Sequence, residues 1–482
     1  IFNLGVSLSD SRYEMIGYEG GLKLINFFAV HNIDFNKAWK AKQSGWHDQT
    51  RAIFANAEIG WKSMIYLTAT GRNDWDSRLA FSDYKSFFYP SIGLSAILTS
   101  MFNAPDWLTY LKVRGSYTEV GNSYGRFMTT VTYPYDEQTQ SWTSTSSYPN
   151  TKLKPERTKS WEVGLDARIL NDISLNLTYY RSNTYNQTFY ADLSLSSGYS
   201  NIPIQSGNIM NEGLEMSLGY NKQWKDFSFN TNYTLTWNKN RVKRLADGVY
   251  NYATGQPIQM PELSPLTYGH TDARLILRVG GSMGDVYGQR LLKRDLNGYI
   301  LNEEGVGLAM ENKETYLGSI LPKMNMGWSL GFGYKGVNLG MTFTGRFGGI
   351  VISETQSVLD AAGVSKVSAD VRDAGGVQIN QSKVSAQTYY QTIQGTAAYY
   401  TYSATNVRLG ELSLSYTLPK KWFDNKVGMT VGLVGKNLWM IYCKAPFDPE
   451  LTTSAASNFY QGFDAYMLPS TRNFGFNVKF QF

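Results

Sequence analysis

The chain has very little of the material from which metal centres and disulfide frameworks are built. Its 482 residues include one cysteine, Cys443, and three histidines, His31, His47 and His270. A single cysteine excludes an intramolecular disulfide and a cysteine-rich zinc site. None of the histidines forms the close-spaced pair that zinc sites use. We therefore predict no metal site, no cofactor and no enzymatic activity.

Long apolar runs are also missing, since nowhere do eighteen apolar residues follow one another and the mean hydropathy is -0.32. A transmembrane helix is therefore excluded. Charged residues make up only 17% of the chain, and the net charge of +6 is spread along it, which argues against nucleic-acid binding. Residues 1–9 lack the features of a secretory leader. We expect the chain to start inside a longer protein.

What the chain has is apolar and polar residues that alternate in segments about ten residues long, the pattern of a strand with one face in lipid and one in a polar lumen. At about 3.3 Å per residue and a tilt near 45°, such a segment rises roughly 23 Å, which suits the apolar band of an outer membrane. We count about fourteen to sixteen candidate strands. The clearest segments are residues 161–169, 173–179, 227–237, 326–334 and 337–347.

The connections between these segments distinguish a membrane barrel from a soluble β-sandwich, which also shows alternation. Tight turns are predicted at 62–63, 171–172, 225–226 and 335–336, and long polar stretches at 124–154, 243–266, 354–404 and 443–470. Short periplasmic turns and long extracellular loops are typical of outer-membrane barrels, whereas such loops are unusual in a compact sandwich. The predicted fold is all-β, a transmembrane antiparallel β-barrel over residues 1–482.

The last ten residues alternate strictly, and their apolar side chains are largely aromatic. Residues 473–482 resemble the C-terminal signal by which the barrel assembly machinery recognises outer-membrane proteins; the alternative is an ordinary amphipathic edge strand. The residues of the predicted insertion signal are Phe474, Phe476, Val478, Phe480 and Phe482.

Several collinear stretches resemble the SusC/RagA-like branch of the TonB-dependent outer-membrane transporters. They include MIYLTATGRNDW (64–75), LKVRGSY (111–117), GNIMNEGLE (207–215), LSLSYTLP (412–419), FDPE (447–450) and LPSTR (468–472). Each stretch is weak alone, but together they cover nearly the whole chain in order. The resemblance is therefore specific to this family.

The resemblance implies a 22-stranded barrel closed by an N-terminal plug and energised by the TonB–ExbB–ExbD complex. It also implies a SusD-like surface lipoprotein as a lid, a dimer of importer–lid pairs, and oligosaccharides or peptides as cargo. The chain departs from the family pattern because it shows no recognisable plug or TonB box. We expect it to be the C-terminal portion of the barrel, with the plug and first strands elsewhere.

Most of the aromatic residues, 15% of the chain, should form girdles at the membrane interfaces. A tyrosine cluster in the longest predicted loop is interpreted instead as a contact surface for a sugar ring or for the lid. Its members are Tyr389, Tyr390, Tyr399, Tyr400 and Tyr402.

Three short motifs invite a chemical interpretation that their surroundings do not support. Asp295-Leu296-Asn297-Gly298 begins like a calcium loop, but the twelfth position is Val306 and Asn-Gly favours a hairpin turn. The glycine-rich residues 280–284 are interpreted as strand with small side chains. Asp74 and Asp76 are interpreted as loop carboxylates without an obvious partner, because such pairs are too common to indicate a glycosidase.

Two other functions remain open from the sequence. A passive porin or an adhesin-like barrel needs neither plug nor lid. A barrel enzyme, such as an outer-membrane protease or lipase, needs a compact group of catalytic residues near the rim, for which three scattered histidines offer little.

Overall fold

The computed structural model describes most of the chain and shows one dominant antiparallel sheet. The described residues are 1–136, 141–205, 207–250, 255–260, 262–295, 298–299, 308–379, 382–424, 426–451, 453 and 458–481. None of the helices among them has the length and apolar character needed to cross a membrane.

Fourteen strands form the large sheet, which we call the wall. They are β1 (Phe2–Gly20), β2 (Trp39–Trp61), β3 (Ile65–Asp76), β4 (Phe87–Ile97), β5 (Leu108–Asn122), β6 (Glu156–Ile169), β7 (Ile173–Tyr185), β8 (Asn208–Trp224), β9 (Phe227–Arg244), β10 (Met324–Tyr334), β11 (Val337–Phe347), β12 (Asn406–Thr417), β13 (Gly428–Cys443) and β14 (Asn473–Gln481). Each strand pairs antiparallel with its neighbour along the chain. The five segments with the clearest alternation all lie in wall strands, so these predictions are confirmed.

The two faces of the wall differ as the alternation predicts. In β6 the apolar side chains of Trp161, Val163 and Leu165 share one face, and Glu162 and Asp166 share the other. The pairing register keeps each face continuous across neighbouring strands, because directly paired residues point to the same side of a sheet. We call the apolar face outward and the polar face inward.

The connections on the two edges of the wall are of different kinds. One edge, the short-turn edge, carries connections 62–64, 98–107, 170–172, 225–226, 335–336 and 418–427. The other, the long-loop edge, carries 21–38, 77–86, 123–155, 186–207, 245–323, 348–405 and 444–472. The connection from β9 to β10 therefore extends well beyond the predicted stretch 243–266, and 186–207 is a connection that the sequence interpretation did not separate.

Left-handed backbone conformations close the tight turns. Lys62 and Ser63 have φ of 48° and 55°, Asn171 has 60°, and Lys335 and Gly336 have 44° and 91°. Positive φ at both central residues is the conformation of two-residue hairpin turns, whose twist matches that of the flanking strands. The predicted turns are thus found where the polar dipeptides interrupt the alternation.

Most regular structure outside the wall lies in the long connections. Short strands are Tyr135–Asp136, Ser141–Trp142, Thr188–Asp192, Asn201–Gln205, Ala246–Tyr250, Pro257–Met260, Glu262–Thr267, Arg274–Arg278, Asp285–Leu292, Arg294–Asp295, Gly298–Tyr299, Met310–Ser319, Ile350–Ser353, Val377–Ile379, Ser382–Val384, Thr401–Ser403 and Phe463–Asp464. Helices are α1 (Leu98–Met101), α2 (Glu354–Ala361), α3 (Lys366–Asp373) and α4 (Ala386–Ile393). Single 3-10 turns are Val30–Asn32, Ser77–Leu79, Leu195–Ser197, Ala397–Tyr399, Lys420–Phe423 and Asn458–Gly462.

A large buried core lies among three long connections, 245–323, 348–405 and 444–472, which we call the loop body. Tyr268 and Val286 from the first, Ile352 and Ala397 from the second, and Phe463 from the third pack in one cluster. Ile350–Ser353 pairs with strands from both the second and the third connection. The side chains of the wall strands are mostly exposed or half-buried. The buried apolar core, of the kind found in soluble proteins, therefore lies outside the wall.

The glycine-rich residues 280–284 are not strand, which corrects the sequence interpretation. They form the turn between Arg274–Arg278 and Asp285–Leu292, and Gly280 has φ of 90°. Gly280 N–H donates to the Val242 carbonyl, and Val242 N–H donates to the Gly281 carbonyl, both at 2.8 Å. The small residues therefore allow the loop body to approach β9 through backbone hydrogen bonds.

Gly336→Ala should destabilise the β10–β11 hairpin by about 1–2 kcal/mol, because a side chain disfavours the left-handed region. The added Cβ would also lie 2.8 Å from the Thr417 carbonyl oxygen. The matched control is Gly93→Ala in β4, where the nearest atom to an added Cβ is 3.8 Å away. The fraction of folded barrel, followed by its heat-dependent mobility in detergent gels, should fall only for Gly336→Ala; equal values would contradict the turn argument.

Candidate functional site

The inward face of β8–β11 is lined with glycine and short neutral polar residues. The series comprises Asn211, Gly213, Ser217, Gly219, Asn230, Asn232, Thr234, Thr236, Asn238, Asn240, Gly327, Ser329, Gly331, Gly333, Asn338, Gly340 and Thr342. Some of these groups hydrogen-bond across strands, as Asn240 Nδ2 does to Asn211 Oδ1 at 2.9 Å. Two charged side chains, Glu215 on β8 and Arg346 on β11, share this face with the series. The surface is otherwise polar, neutral and low in relief, and a polar solute or a second polypeptide can lie against it.

On the inward face of β5–β7 an arginine and an aspartate lie close together among polar neighbours. Arg114 donates to the Thr178 hydroxyl at 2.5 Å and lies 3.8 Å from Asp166. Asn176 also donates to Asp166. This cluster has partners from three adjacent strands, and it holds the charged groups in fixed positions on the lumen side.

Asp74 and Asp76 do have partners, which corrects the sequence interpretation. Both are 7% exposed and lie at the end of β3, not in a loop. Asp74 accepts from Arg72 Nε and from the Tyr89 hydroxyl, both at 2.7 Å. Asp76 accepts from Arg78 Nη2 at 2.6 Å. These carboxylates neutralise arginines at the long-loop edge and are not poised as an acid–base pair.

Asp76 additionally ties two connections to the wall. It accepts from the Ser123 hydroxyl at 2.7 Å and from Arg78 N–H at 2.9 Å. Nearby, Leu79, Tyr124 and Leu153 pack in one buried cluster. The connections 77–86 and 123–155 are therefore held together where they leave the wall.

The FDPE motif at 447–450 is anchored to β12 by a buried ion pair. Arg408 donates to both carboxylate oxygens of Asp448, at 2.8 and 2.9 Å, and lies 3.5 Å from Glu450. Asn406, fully buried, donates to Glu450 at 3.0 Å and accepts from Arg408 Nε at 3.2 Å. Two-point contact between guanidinium and carboxylate fixes orientation as well as distance. This network attaches connection 444–472 to the wall.

The electrostatics of Asp448 follow from this contact. Burial by itself raises the pKa of Asp448, but hydrogen bonds from Arg408 and from the Glu450 N–H outweigh it, so the pKa lies below its ordinary value. The carboxylate is consequently charged at neutral pH. The pairing with Arg408 offsets the cost of burying either charge alone.

A second buried carboxylate links two parts of the loop body. Asp272 accepts backbone N–H bonds from Gln289 at 3.0 Å, Arg290 at 2.7 Å and Ala397 at 2.6 Å. Connections 245–323 and 348–405 thus share one anionic acceptor. Asp464 has a similar role, because it accepts from Ser353, the N-cap of α2, at 2.6 Å. The sequence offered no signal for either residue, since their partners are distant along the chain.

The five predicted contact tyrosines all lie in connection 348–405, but they differ in exposure. Tyr390 and Tyr400 are 6% and 3% exposed and pack in a buried cluster with Leu292 and Ile393. Tyr389, Tyr399 and Tyr402 are half-buried. Tyr390 and Tyr400 therefore offer little surface to a ligand.

Tyr399 and Tyr402 also have structural contacts. The Tyr399 hydroxyl accepts from Leu292 N–H at 3.1 Å, and the Tyr402 ring packs edge-on against Phe447 at 5.6 Å. Burial raises the pKa of Tyr402 to about 12, so its hydroxyl stays protonated. Contact with cargo or lid remains a prediction for Tyr389, Tyr399 and Tyr402.

The remaining predicted sites are the Asp295 motif and the C-terminal insertion signal. Arg294–Asp295 pairs with Gly298–Tyr299 as a hairpin, while Leu296 and Asn297 lie outside the described residues. Within the described ranges no group of three or more potential metal ligands occurs. Phe474, Phe476, Val478 and Phe480 are exposed on the outward face of β14, and Phe482 lies outside the described residues. Their role in barrel insertion remains a prediction.

An antiparallel wall with an apolar outward face, a polar inward face and long connections on one edge is the architecture of an outer-membrane β-barrel. The family described as "TonB dependent receptor-like, beta-barrel" matches residues 27–438. The chain belongs to this family. The predicted family, the barrel fold and the outer-membrane location are thereby confirmed.

Individual relatives agree with this assignment. "TonB-dependent receptor P3" of Formosa agariphila is 24% identical over 98% of this chain and 50% of its own length. "TonB-dependent receptor SusC" of Bacteroides thetaiotaomicron is 25% identical over 49% of this chain and 22% of its own length. The solved RagAB peptide importer in its open-open state shares the fold with a TM-score of 0.72 at 19% identity, over 99% of this chain and 52% of that chain. The chain thus spans about half the length of the relatives that it matches along its whole length.

Arg408→Ala should release connection 444–472 and destabilise it by about 3–5 kcal/mol, because Asp448 would remain buried without a counter-charge. Protease sensitivity of this connection on intact cells is the measurement. Arg12→Ala is the matched control, since the Arg12–Glu14 pair is exposed, with side chains 70% and 65% accessible, and such pairs contribute little. Unchanged protection in Arg408→Ala would show that the ion pair does not hold the connection.

Proposed function

We propose that the complete protein is an active importer of the outer membrane and takes up oligosaccharides or peptides. In this proposal the chain forms the C-terminal part of the barrel wall, and the TonB–ExbB–ExbD complex supplies energy through the plug region of the full protein. A SusD-like lipoprotein covers the long-loop edge as a lid. The long connections are then extracellular, and the short turns are periplasmic.

The observation that carries the proposal is the loop body, supported by the family assignment. Three connections share one apolar core, and buried carboxylates link them internally through Asp272 and to the wall through Asp448. A packed surface of this kind is suited to repeated docking of a lid, because little conformational freedom is lost when the partner binds.

The side chains that line the lumen are compatible with both proposed cargo classes. The inward face of β8–β11 presents mainly amide, hydroxyl and backbone groups, with Glu215 and Arg346 as its charged side chains. Such groups suit hydroxyl-rich sugars and peptide backbones equally, because both offer donors and acceptors without fixed charge. Both cargo classes therefore remain within the proposal, and the structurally similar RagAB is a peptide importer.

A passive porin or an adhesin-like barrel is the alternative function. A porin exchanges solutes down their gradients and needs no energy from the inner membrane. The family assignment favours the energised importer. The alternatives differ in one measurable respect, the dependence of uptake on the proton-motive force.

Uptake of fluorescent oligosaccharides and peptides should be measured in cells that contain the full-length protein, with a deletion strain as the control. We expect uptake above the deletion strain for one cargo class, and a fall to the deletion level when a protonophore collapses the proton-motive force. Uptake that persists with the protonophore and follows only the concentration gradient would establish the porin alternative. Binding of cells to a surface without uptake would establish the adhesin alternative.

Tyr389→Ala should weaken binding of cargo or lid about threefold to tenfold, the usual effect of losing one aromatic contact, and should leave barrel assembly intact. Tyr390→Ala is a neighbouring comparison with a different expectation. Because Tyr390 is buried, its replacement should destabilise the loop body by about 3–5 kcal/mol. Binding by titration and loop protection against protease separate the two effects. Undiminished binding in Tyr389→Ala would remove this residue from the contact surface.

A further inference from the structure

Five cationic side chains are concentrated on the outward face of the wall between β6 and β9, close to the long-loop edge. They are Arg157 and Lys159 in β6, Arg181 in β7, and Lys239 and Arg241 in β9. We call this set the basic patch. The pairing register places Trp161, Arg181, Glu212 and Lys239 in one row across β6–β9, and Lys159, Asn183, Met210 and Arg241 in the next row.

The charge of the basic patch is only partly neutralised by the chain itself. Glu119 lies 3.3 Å from Arg157 and 3.2 Å from Lys159, and Glu212 lies 3.8 Å from Lys239. Five cations against these two carboxylates leave a net charge of +3. In the part of the chain that the structure describes, Arg181 and Arg241 make no ion pair.

The basic patch is not a general property of the outward face. On the outward face of β10–β14 the paired residues include no charged side chain. On β1 and β2 the outward charges are balanced in number, since Arg12 and Arg51 are matched by Asp10 and Glu14. Arg12 pairs with Glu14, and His47 contacts Asp10. An unbalanced cationic surface is therefore confined to β6–β9.

An apolar row lies directly beside the basic patch on the side of the short-turn edge. Val163, Tyr179, Leu214 and Trp237 pair across β6–β9 in the row adjacent to Arg181. Val163 and Trp237 are 56% and 36% exposed. Aromatic residues of this kind mark the boundary between hydrocarbon and headgroups. The cations therefore lie at headgroup level, with exposed apolar side chains below them.

A cavity adjoins the basic patch where the loop body approaches β9. Its volume is about 580 Å³, and its lining includes Trp237, Lys239, Arg241, Tyr316 and Lys323. Lys323 adds a further cation from connection 245–323. The cavity joins the rings of Trp237 and Tyr316 to three cationic side chains and one carboxylate, Asp285. Cations remain in excess in its lining, so it can receive a compact anionic group attached to an apolar body.

We propose that the basic patch is a binding site for the phosphate-bearing headgroup of a glycolipid in the outer leaflet. Arg181, Lys239 and Arg241 contact the phosphate, and the acyl chains lie along the row of Val163, Leu214 and Trp237. A lipid fits better than a protein partner because the cations at headgroup level lie directly beside an exposed apolar row. A lipid supplies both an anionic headgroup for the cations and acyl chains for the apolar row. Anionic headgroups attract such cation clusters at membrane surfaces, and guanidinium groups suit phosphate oxygens through paired hydrogen bonds.

The test uses the full-length protein in neutral detergent, with native mass spectrometry to count bound lipid. The probes are phosphorylated lipid A, the same lipid after removal of its phosphate, and inorganic phosphate alone. The double variant Arg181→Gln/Arg241→Gln removes the two cations that have no ion pair. The matched control, Arg12→Gln/Arg51→Gln, removes two arginines from the outward face of β1 and β2.

We expect phosphorylated lipid A to bind the unmodified protein and the control variant alike, and to bind the patch variant about 30-fold more weakly, from the usual contribution of two basic residues at an anionic membrane surface. Heat-dependent gel mobility checks that both variants fold. Equal binding of the dephosphorylated lipid, or equal binding by the patch variant, would overturn the proposal. Displacement of the lipid by inorganic phosphate alone would also overturn it.

Discussion

Backbone hydrogen bonding between antiparallel neighbours is the constraint on which the structure depends. Within hydrocarbon an unpaired N–H or C=O is costly, so every strand of the wall must be paired by another strand. Twelve of the fourteen strands have a partner on both sides, in strict chain order, and β1 and β14 form the two edges of the described sheet. Because pairing fixes the register, a single alternation in the sequence becomes two continuous faces, one for lipid and one for the lumen.

The same constraint explains why the two edges of the wall differ. A hairpin turn such as Lys335-Gly336 needs only two residues in the left-handed region, and it keeps the register of the strands it joins. The connections on the long-loop edge are not restricted to such two-residue turns. These connections instead pack around a buried apolar core like that of a water-soluble protein, in which Tyr268 and Val286 are fully buried. One chain therefore uses two kinds of stabilisation, backbone pairing in the wall and apolar burial in the loop body.

A buried ion pair connects these two parts, and a further carboxylate links segments within the loop body. Arg408 and Asp448 join β12 to connection 444–472, and Asp272 joins two connections within the loop body. Each carboxylate is held by several donors, which is the condition under which a buried charge is tolerated. The outward face has the opposite character, because its cations on β6–β9 exceed the carboxylates that the chain supplies. On the lumen side Arg114 and Asp166 have partners within the wall, whereas Arg181 and Arg241 of the basic patch are directed towards the surroundings.

The sequence by itself determined the barrel, its two faces and its tight turns, because these follow from a period of two and from residues such as Gly336 that tolerate positive φ. The sequence also indicated the family, through motifs spread along the chain. Only the tertiary structure decided the loop body. The partners of Asp272 lie up to 125 residues away, Tyr390 and Tyr400 are buried by segments that no local pattern specifies, and Arg408 finds Asp448 forty residues later. Local periodicity reports which side of a strand faces lipid, but contacts between distant loops depend on how the whole chain packs.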